Sequence, residues 1–161
     1  MLLYHGSNII VKNPVIIEAN RFFDFGTGFY TTTNYEQALN FAQKVTTRRK
    51  EGAPVVNIYE INETEIQKLS ILKFEKANEK WLDFVSANRT GETISINYDL
   101  IIGPVADDDV YQTFTLYSNG FYTKEQAIEV LKIKKLYNQY VFKTKKALSS
   151  ISFIKAEYGK K

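Results

Sequence analysis

Apolar positions along this chain follow two rhythms. In TNYEQALNFAQKV, residues 33–45, Ala38, Phe41, Ala42 and Val45 fall on one helical stripe, and Thr33 stands three residues before Glu36. That spacing is a capping box, in which a hydroxyl and a carboxylate satisfy orphan backbone N–H groups reciprocally, so a helix is predicted to begin there. A second box pairs Thr123 with Gln126 in TKEQAIEVLKIKK, with Ala127, Val130 and Leu131 on the buried side. A third, shorter helix is expected in NEKWLDFVSAN, turning Trp81, Phe84 and Val85 inward. The other rhythm is that of short β-branched and aromatic runs. LLYH, GFYTT, VVNIYEI, LSILKF, YDLIIGPV, VYQTFTLY and QYVFKT all read as strands. Strands outnumber helices and do not alternate with them one for one, which argues against a parallel doubly wound sheet. The pattern predicts an α+β fold with mainly antiparallel pairing.

Composition narrows the chemistry. The chain has 161 residues, 44% apolar and 24% charged, and no repeat or linker divides it, so one domain over 1–161 is expected to bury its own core. It has no cysteine, which excludes disulfides, thiolate nucleophiles and thiolate-bound zinc. With His5 as its one histidine, a multi-histidine metal centre is excluded and no metal is expected. A Ser-His-Asp hydrolase would have to use His5, and no Gly-x-Ser-x-Gly elbow supplies its nucleophile. No apolar run is long enough to span a bilayer, and MLLYHGS is too short and polar for a signal peptide, so a cytoplasmic protein without a membrane partner is expected. The net charge is +3, with Lys143, Lys145, Lys146, Lys155, Lys160 and Lys161 near the C-terminus. These read as a solvated tail, with a nucleic-acid-binding face as the competing reading.

One glycine-rich stretch asks for an explanation. FGTGFYTTT, residues 25–33, places Gly26 and Gly28 around Thr27. A dinucleotide fingerprint needs a third small residue where this chain has Thr31, and a P-loop needs a Gly-Lys-Ser/Thr ending that is missing. Neither nucleotide loop applies. Taken alone the two glycines would read as a hairpin bulge, and His5, Tyr30, Phe41 and Gln139 as ordinary core or strand residues.

Three stretches taken together say more. LYHGS at 3–7, FGTGFYTTT at 25–33 and YNQYVFKT at 137–144 occur in an order that resembles the ADP-ribosyltransferase superfamily of the diphtheria-toxin and poly(ADP-ribose) polymerase type, in an uncharacterised bacterial branch of it. In that group a first strand carries His-Gly, a second carries Gly-x-Gly-aromatic-Tyr leading into a helix, and a late strand carries Glu. His5 and Tyr30 match the first two members of the His-Tyr-Glu triad, while Gln139 stands where the glutamate would be. The segment from about 50 to 135 is not part of the match.

The resemblance implies two packed, mainly antiparallel β-sheets with flanking helices around a cleft for NAD, the co-substrate. It implies that the Gly6 backbone would hydrogen-bond the nicotinamide carboxamide, with Ser7 and Gly28 beside it. His5 would bond the adenine-side ribose, and Tyr30 and Phe41 would stack on the nicotinamide ring. Ala38 falls where polymerases have a serine, so one polar contact is lost. Gln139 keeps a hydrogen bond to a ribose hydroxyl but cannot act as a general base. Losing a preorganised charge beside a developing cation costs about 10² to 10³ in rate. Asp24 or the run Asp107, Asp108 and Asp109 would be substitutes for the lost carboxylate; the run otherwise reads as a turn or helix start. The activity implied is mono-ADP-ribosyl transfer to a protein or nucleic-acid acceptor, in a bacterial toxin or effector whose partners would include an antitoxin or immunity protein. The alternative is a catalytically weak NAD or ADP-ribose-binding module, or an NAD glycohydrolase.

Overall fold

The structure is a computed structural model that describes residues 1–17, 23–91, 97–105, 108–132 and 137–160. In chain order its elements are β1 (Leu2–Ser7), β2 (Phe29–Thr32), α1 (Tyr35–Arg49), β3 (Val55–Ile61), α2 (Glu63–Ile66), β4 (Ile71–Lys73), α3 (Glu79–Arg89), β5 (Leu100–Pro104), α4 (Asp108–Ser118), α5 (Lys124–Lys132), β6 (Asn138–Phe142), α6 (Lys145–Leu148) and β7 (Ile151–Tyr158). The α+β class is as expected. In place of the two packed sheets expected, the described residues form one seven-stranded sheet, ordered β4-β5-β6-β2-β1-β3-β7. Its pairings are antiparallel except for the parallel pair β4–β5.

The reason for one sheet lies in a narrow join. One half, β4-β5-β6-β2, and the other, β1-β3-β7, meet along β1–β2, where Tyr4↔Thr32 is the registered pair. By contrast β1 and β3 are registered from Leu2↔Glu60 to Ser7↔Val55. The sheet is therefore continuous but held at its centre by a short ladder.

Alternation along the strands feeds a core on each face. Ile101 and Val141 join Phe25, Trp81, Leu82 and Val85 in the cluster beneath α3, α4 and α5. Their sequence neighbours Ile102 and Phe142 turn the other way, to Leu3, Phe29 and Tyr59. Trp81 is 1% exposed, and its indole N–H donates to the Pro104 carbonyl at 3.1 Å, so the largest core side chain leaves no polar atom stranded. Burying each such side chain contributes about 1.5–3 kcal/mol.

Four expectations change. The N-cap of α1 is Asn34, whose Oδ1 accepts from the Gln37 N–H at 2.8 Å, one residue later than the Thr33 box. Phe41 leaves the helix's buried stripe: Ala38, Ala42 and Val45 are buried while Phe41 is 47% exposed. VYQTFTLY falls wholly in α4, where Phe114 and Tyr117 at helical spacing reach the core beside α3 and α5, and burial overrides strand propensity. Residues 151–158, counted with the charged tail, form the edge strand β7. The second capping box is as expected: Gln126 Oε1 accepts from the Thr123 N–H at 2.9 Å and Thr123 Oγ1 accepts from the Gln126 N–H at 3.2 Å. The acidic run opens α4 at Asp108, while Asp107 lies outside the described residues.

Candidate functional site

The central join of the sheet is where the residues of the three matched stretches meet, because β6, β2 and β1 are neighbours. Backbone parity shows which edges face each other. The Ile61 N–H donates to the Met1 carbonyl, so the odd residues of β1 bond to β3 and the even ones point to β2. The Thr33 N–H donates to the Asn138 carbonyl, so the odd residues of β2 bond to β6, and Thr32 and Tyr30 point to β1. After the pair Tyr4↔Thr32 the next rung would join Gly6 to Tyr30. That rung is not made. The Tyr30 carbonyl instead lies 2.7 Å from His5 Nδ1.

This contact assigns the tautomer. A carbonyl oxygen only accepts, so Nδ1 carries the hydrogen and Nε2 a lone pair. Burial pushes the His5 pKa down to about 4; the Tyr30 carbonyl opposes the shift and Arg49 adds to it. The ring is neutral at ordinary pH, and it packs on Phe29 with centroids 4.3 Å apart. Gly6, beside it, has α1 laid against its Cα: an added Cβ would sit 2.0 Å from the Ala38 carbonyl oxygen. Only glycine allows that approach.

Registered partners share a face of the sheet, so Tyr30 lies on the side of Val141, and Thr32 on the side of Gln139. Tyr30 and Gln139 are therefore on one face, while His5, adjacent to Gly6 and packed on Phe29, is on the other. The structure joins His5 to Tyr30 through the backbone carbonyl and not ring to ring. Phe41 stands one i, i+3 step along α1 from Ala38, with its ring exposed. Ser7 is buried, its Oγ accepting from the Ile9 N–H at 3.4 Å. Gly28 lies flat on β6, where a Cβ would come within 2.6 Å of Val141 Cγ1.

The Tyr30 hydroxyl is fully engaged by the turn before it. It accepts from the Phe25 N–H at 3.1 Å and donates to the Gly26 carbonyl at 2.5 Å, and Gly26 takes φ +74°, which favours glycine. Burial, with the Asp24 charge next, holds this phenol well above its ordinary pKa. Asp24 itself is paired with Arg89, whose guanidinium also lies 5.2 Å from the Phe114 ring centre. Gln139 is buried, with Nε2 3.5 Å from the Pro104 carbonyl. Among the described residues its Oε1 has no hydrogen-bond partner.

Two residues here escaped the sequence reading. Asn57, fully buried opposite His5, accepts from the Val11 N–H at 2.8 Å and donates to the Ile9 carbonyl at 3.2 Å, holding the chain that leaves β1. An asparagine inside VVNIYEI was the signal. Lys143 donates to the Phe25 carbonyl at 2.6 Å and was hidden among the C-terminal lysines. Among the described residues no group of acidic and histidine side chains is arranged to hold a metal, and no helix is long and apolar enough to cross a membrane. No curated protein matches the chain. A family model does match, over residues 1–153, and the chain belongs to that family, described as protein of unknown function (DUF3990).

Proposed function

We propose that the chain binds NAD at the join of β1 and β2 and acts as a slow mono-ADP-ribosyltransferase. The observation that carries this reading is the missing rung between Gly6 and Tyr30. Parity turns the Gly6 N–H and C=O toward that gap, and together they offer one donor and one acceptor on a strand edge. A primary carboxamide, such as that of nicotinamide, carries the complementary acceptor and donor. Gly6 has no side chain to obstruct it, and the neutral His5 ring takes the Tyr30 carbonyl as its own acceptor.

The remaining residues fit the same task. Phe41 offers an exposed aromatic face on α1, the helix that packs on Gly6 through Ala38 and Ala42, and stacking on a cationic ring is worth on the order of 1–2 kcal/mol when desolvated. Departure of nicotinamide leaves positive charge on the ribose, and Gln139 Oε1 can accept from a hydroxyl there without supplying a full negative charge. This favours slow turnover, with transfer to a macromolecular acceptor or to water.

The second reading, an NAD-binding module without turnover, is favoured by the placement of Asp24, which is committed to Arg89 and so is a poor substitute for the absent carboxylate. Incubation with NAD labelled in the nicotinamide ring separates the two. Release of free nicotinamide by the wild-type chain, lost in His5→Ala, supports the transferase. Calorimetric binding without release supports the module, and neither binding nor release removes NAD from the site.

A further inference from the structure

Lys143 follows β6 and reaches back to the turn that precedes β2. Its Nζ donates to the Phe25 carbonyl at 2.6 Å. Its stem runs along the glycines of the turn: an added Cβ at Gly28 would lie 3.3 Å from Lys143 Cδ, and one at Gly26 3.1 Å from Nζ. Phe25 is also the residue whose N–H donates to the Tyr30 hydroxyl, which in turn donates to Gly26. One peptide residue thus hands its carbonyl to Lys143 and its N–H to Tyr30.

We propose that Lys143 is a positioning residue of the site, its ammonium group clamping the Phe25–Gly28 turn and so fixing the Tyr30 ring against which the NAD nicotinamide would rest. This rests on the functional reading above, but the clamp itself can be read without NAD.

A lysine kept only for stability would be expected beside a carboxylate. Lys143 forms no ion pair among the described residues. Of the charged groups on the neighbouring segments, Asp24 pairs with Arg89, and Asp99 bonds the Ser70 N–H and the Thr144 hydroxyl and lies near Lys146. Asn88, whose Oδ1 lies near Gly26, is neutral. Burial pushes the Lys143 amine from 10.5 down to about 8. Between those values the unfolded chain binds the extra proton, so stability rises with pH across that window: the charged amine costs the fold something. A group that burdens the fold while it grips a turn of the candidate site fits a functional role better than a structural one.

The test compares wild type, Lys143→Met and Lys143→Arg from about pH 7 to about pH 9.5, on either side of the titration. Calorimetry reads NAD affinity, and thermal unfolding reads stability. Fluorine NMR of fluorotyrosine-labelled protein, with the Tyr30 signal assigned through Tyr30→Phe, reads the ring without ligand. In Lys143→Met we expect NAD to bind about tenfold more weakly, the loss typical of a charge-assisted hydrogen bond, with the melting temperature unchanged or raised and the Tyr30 signal shifted. Wild-type affinity falls as pH rises through about 8, and Lys143→Arg, which stays charged, shows no such fall. An unmoved Tyr30 signal in Lys143→Met overturns the clamp whatever the affinity does, and a moved signal with wild-type affinity overturns the positioning role. Should the wild-type chain bind no NAD, the functional reading fails. The ligand-free signal then decides: a Tyr30 shift that follows pH in wild type but not in Lys143→Arg upholds the clamp, and a flat signal in both ends it.

Discussion

His5 Nδ1 sits 2.7 Å from the main-chain oxygen of Tyr30, in the place where a Gly6 amide would have continued the β1–β2 ladder. A side chain has taken over a rung of the sheet. The exchange leaves the Gly6 N–H and C=O, which parity turns toward β2, without a registered partner on that strand, where a neighbouring strand normally satisfies them.

His5 ties stability to pH with a defined sign. Its pKa falls from 6.5 to about 4 on folding, so between those values the unfolded chain takes up a proton that the native chain refuses. Its contribution is complete above 6.5, declines as pH falls, and is fully lost below about 4. A shift of that size corresponds to roughly 3 kcal/mol. Denaturant unfolding of wild type and His5→Gln at matched pH values checks it: the difference between them should shrink on acidification, and parallel curves would refute the assignment.

Gly6 is expected to tolerate no side chain. Gly6→Ala forces a Cβ against the Ala38 carbonyl, a backbone atom that cannot swing aside, so the cost should reach or exceed the roughly 1–3 kcal/mol usual for overpacking, a large share of a typical domain's margin of about 5–15 kcal/mol. Gly120→Ala is the control. Gly120 has φ +78° with nothing within 4 Å of its Cβ position, so backbone strain of about 1 kcal/mol is all it should show. Chemical denaturation of the two variants ranks them.

Much of the fold was legible where local and tertiary forces agree. The box at Thr123 and Gln126 formed in full, and the β-branched and aromatic run VVNIYEI produced a strand with the predicted extent. The reading failed where packing decided. Asn34 took the cap of α1 because Thr32 Oγ1 already accepts from the Asn34 N–H and donates to Gln37 Oε1, drawing the strand one residue further before the helix starts. β7 was invisible because Lys155 and Glu157 made it look solvated, yet at a sheet edge such charges pair with each other, here at 2.6 Å. Of the candidate site, His5, Tyr30 and Gln139 were named through the family resemblance of three ordered stretches. Their division between the two faces depends on the register of β1, β2 and β6, which no local pattern encodes.

Tyr30 separates ring from hydroxyl. Tyr30→Phe removes the bonds to Phe25 and Gly26 and strands a backbone N–H, so about 1–3 kcal/mol of stability should go while the aromatic face remains. NAD affinity in Tyr30→Phe is then expected to fall less than in Tyr30→Ala, which loses the ring as well. Calorimetry on both variants, each verified as folded, tests the order. Equal affinity in wild type and Tyr30→Ala would take the ring out of the site.

The sharpest chemical test is Gln139→Glu. The substitution restores a negative charge where positive charge would develop on the ribose, and a preorganised charge of that kind is worth up to about 10² to 10³ in rate. The surroundings oppose it. Gln139 turns its Nε2 toward the Pro104 carbonyl, 3.5 Å away, and a carboxylate there would face an oxygen that cannot donate. The same carbonyl already accepts from the Trp81 indole, which fixes its direction and prevents it from turning away. We therefore expect the variant to lose about 1–3 kcal/mol of stability, the cost of a buried polar group left unmatched, and to release nicotinamide faster than wild type. Both are measurable on one preparation, by denaturation and by following free nicotinamide. A folded Gln139→Glu protein with no gain in release would place Gln139 outside the reaction and leave it as a partner of Pro104.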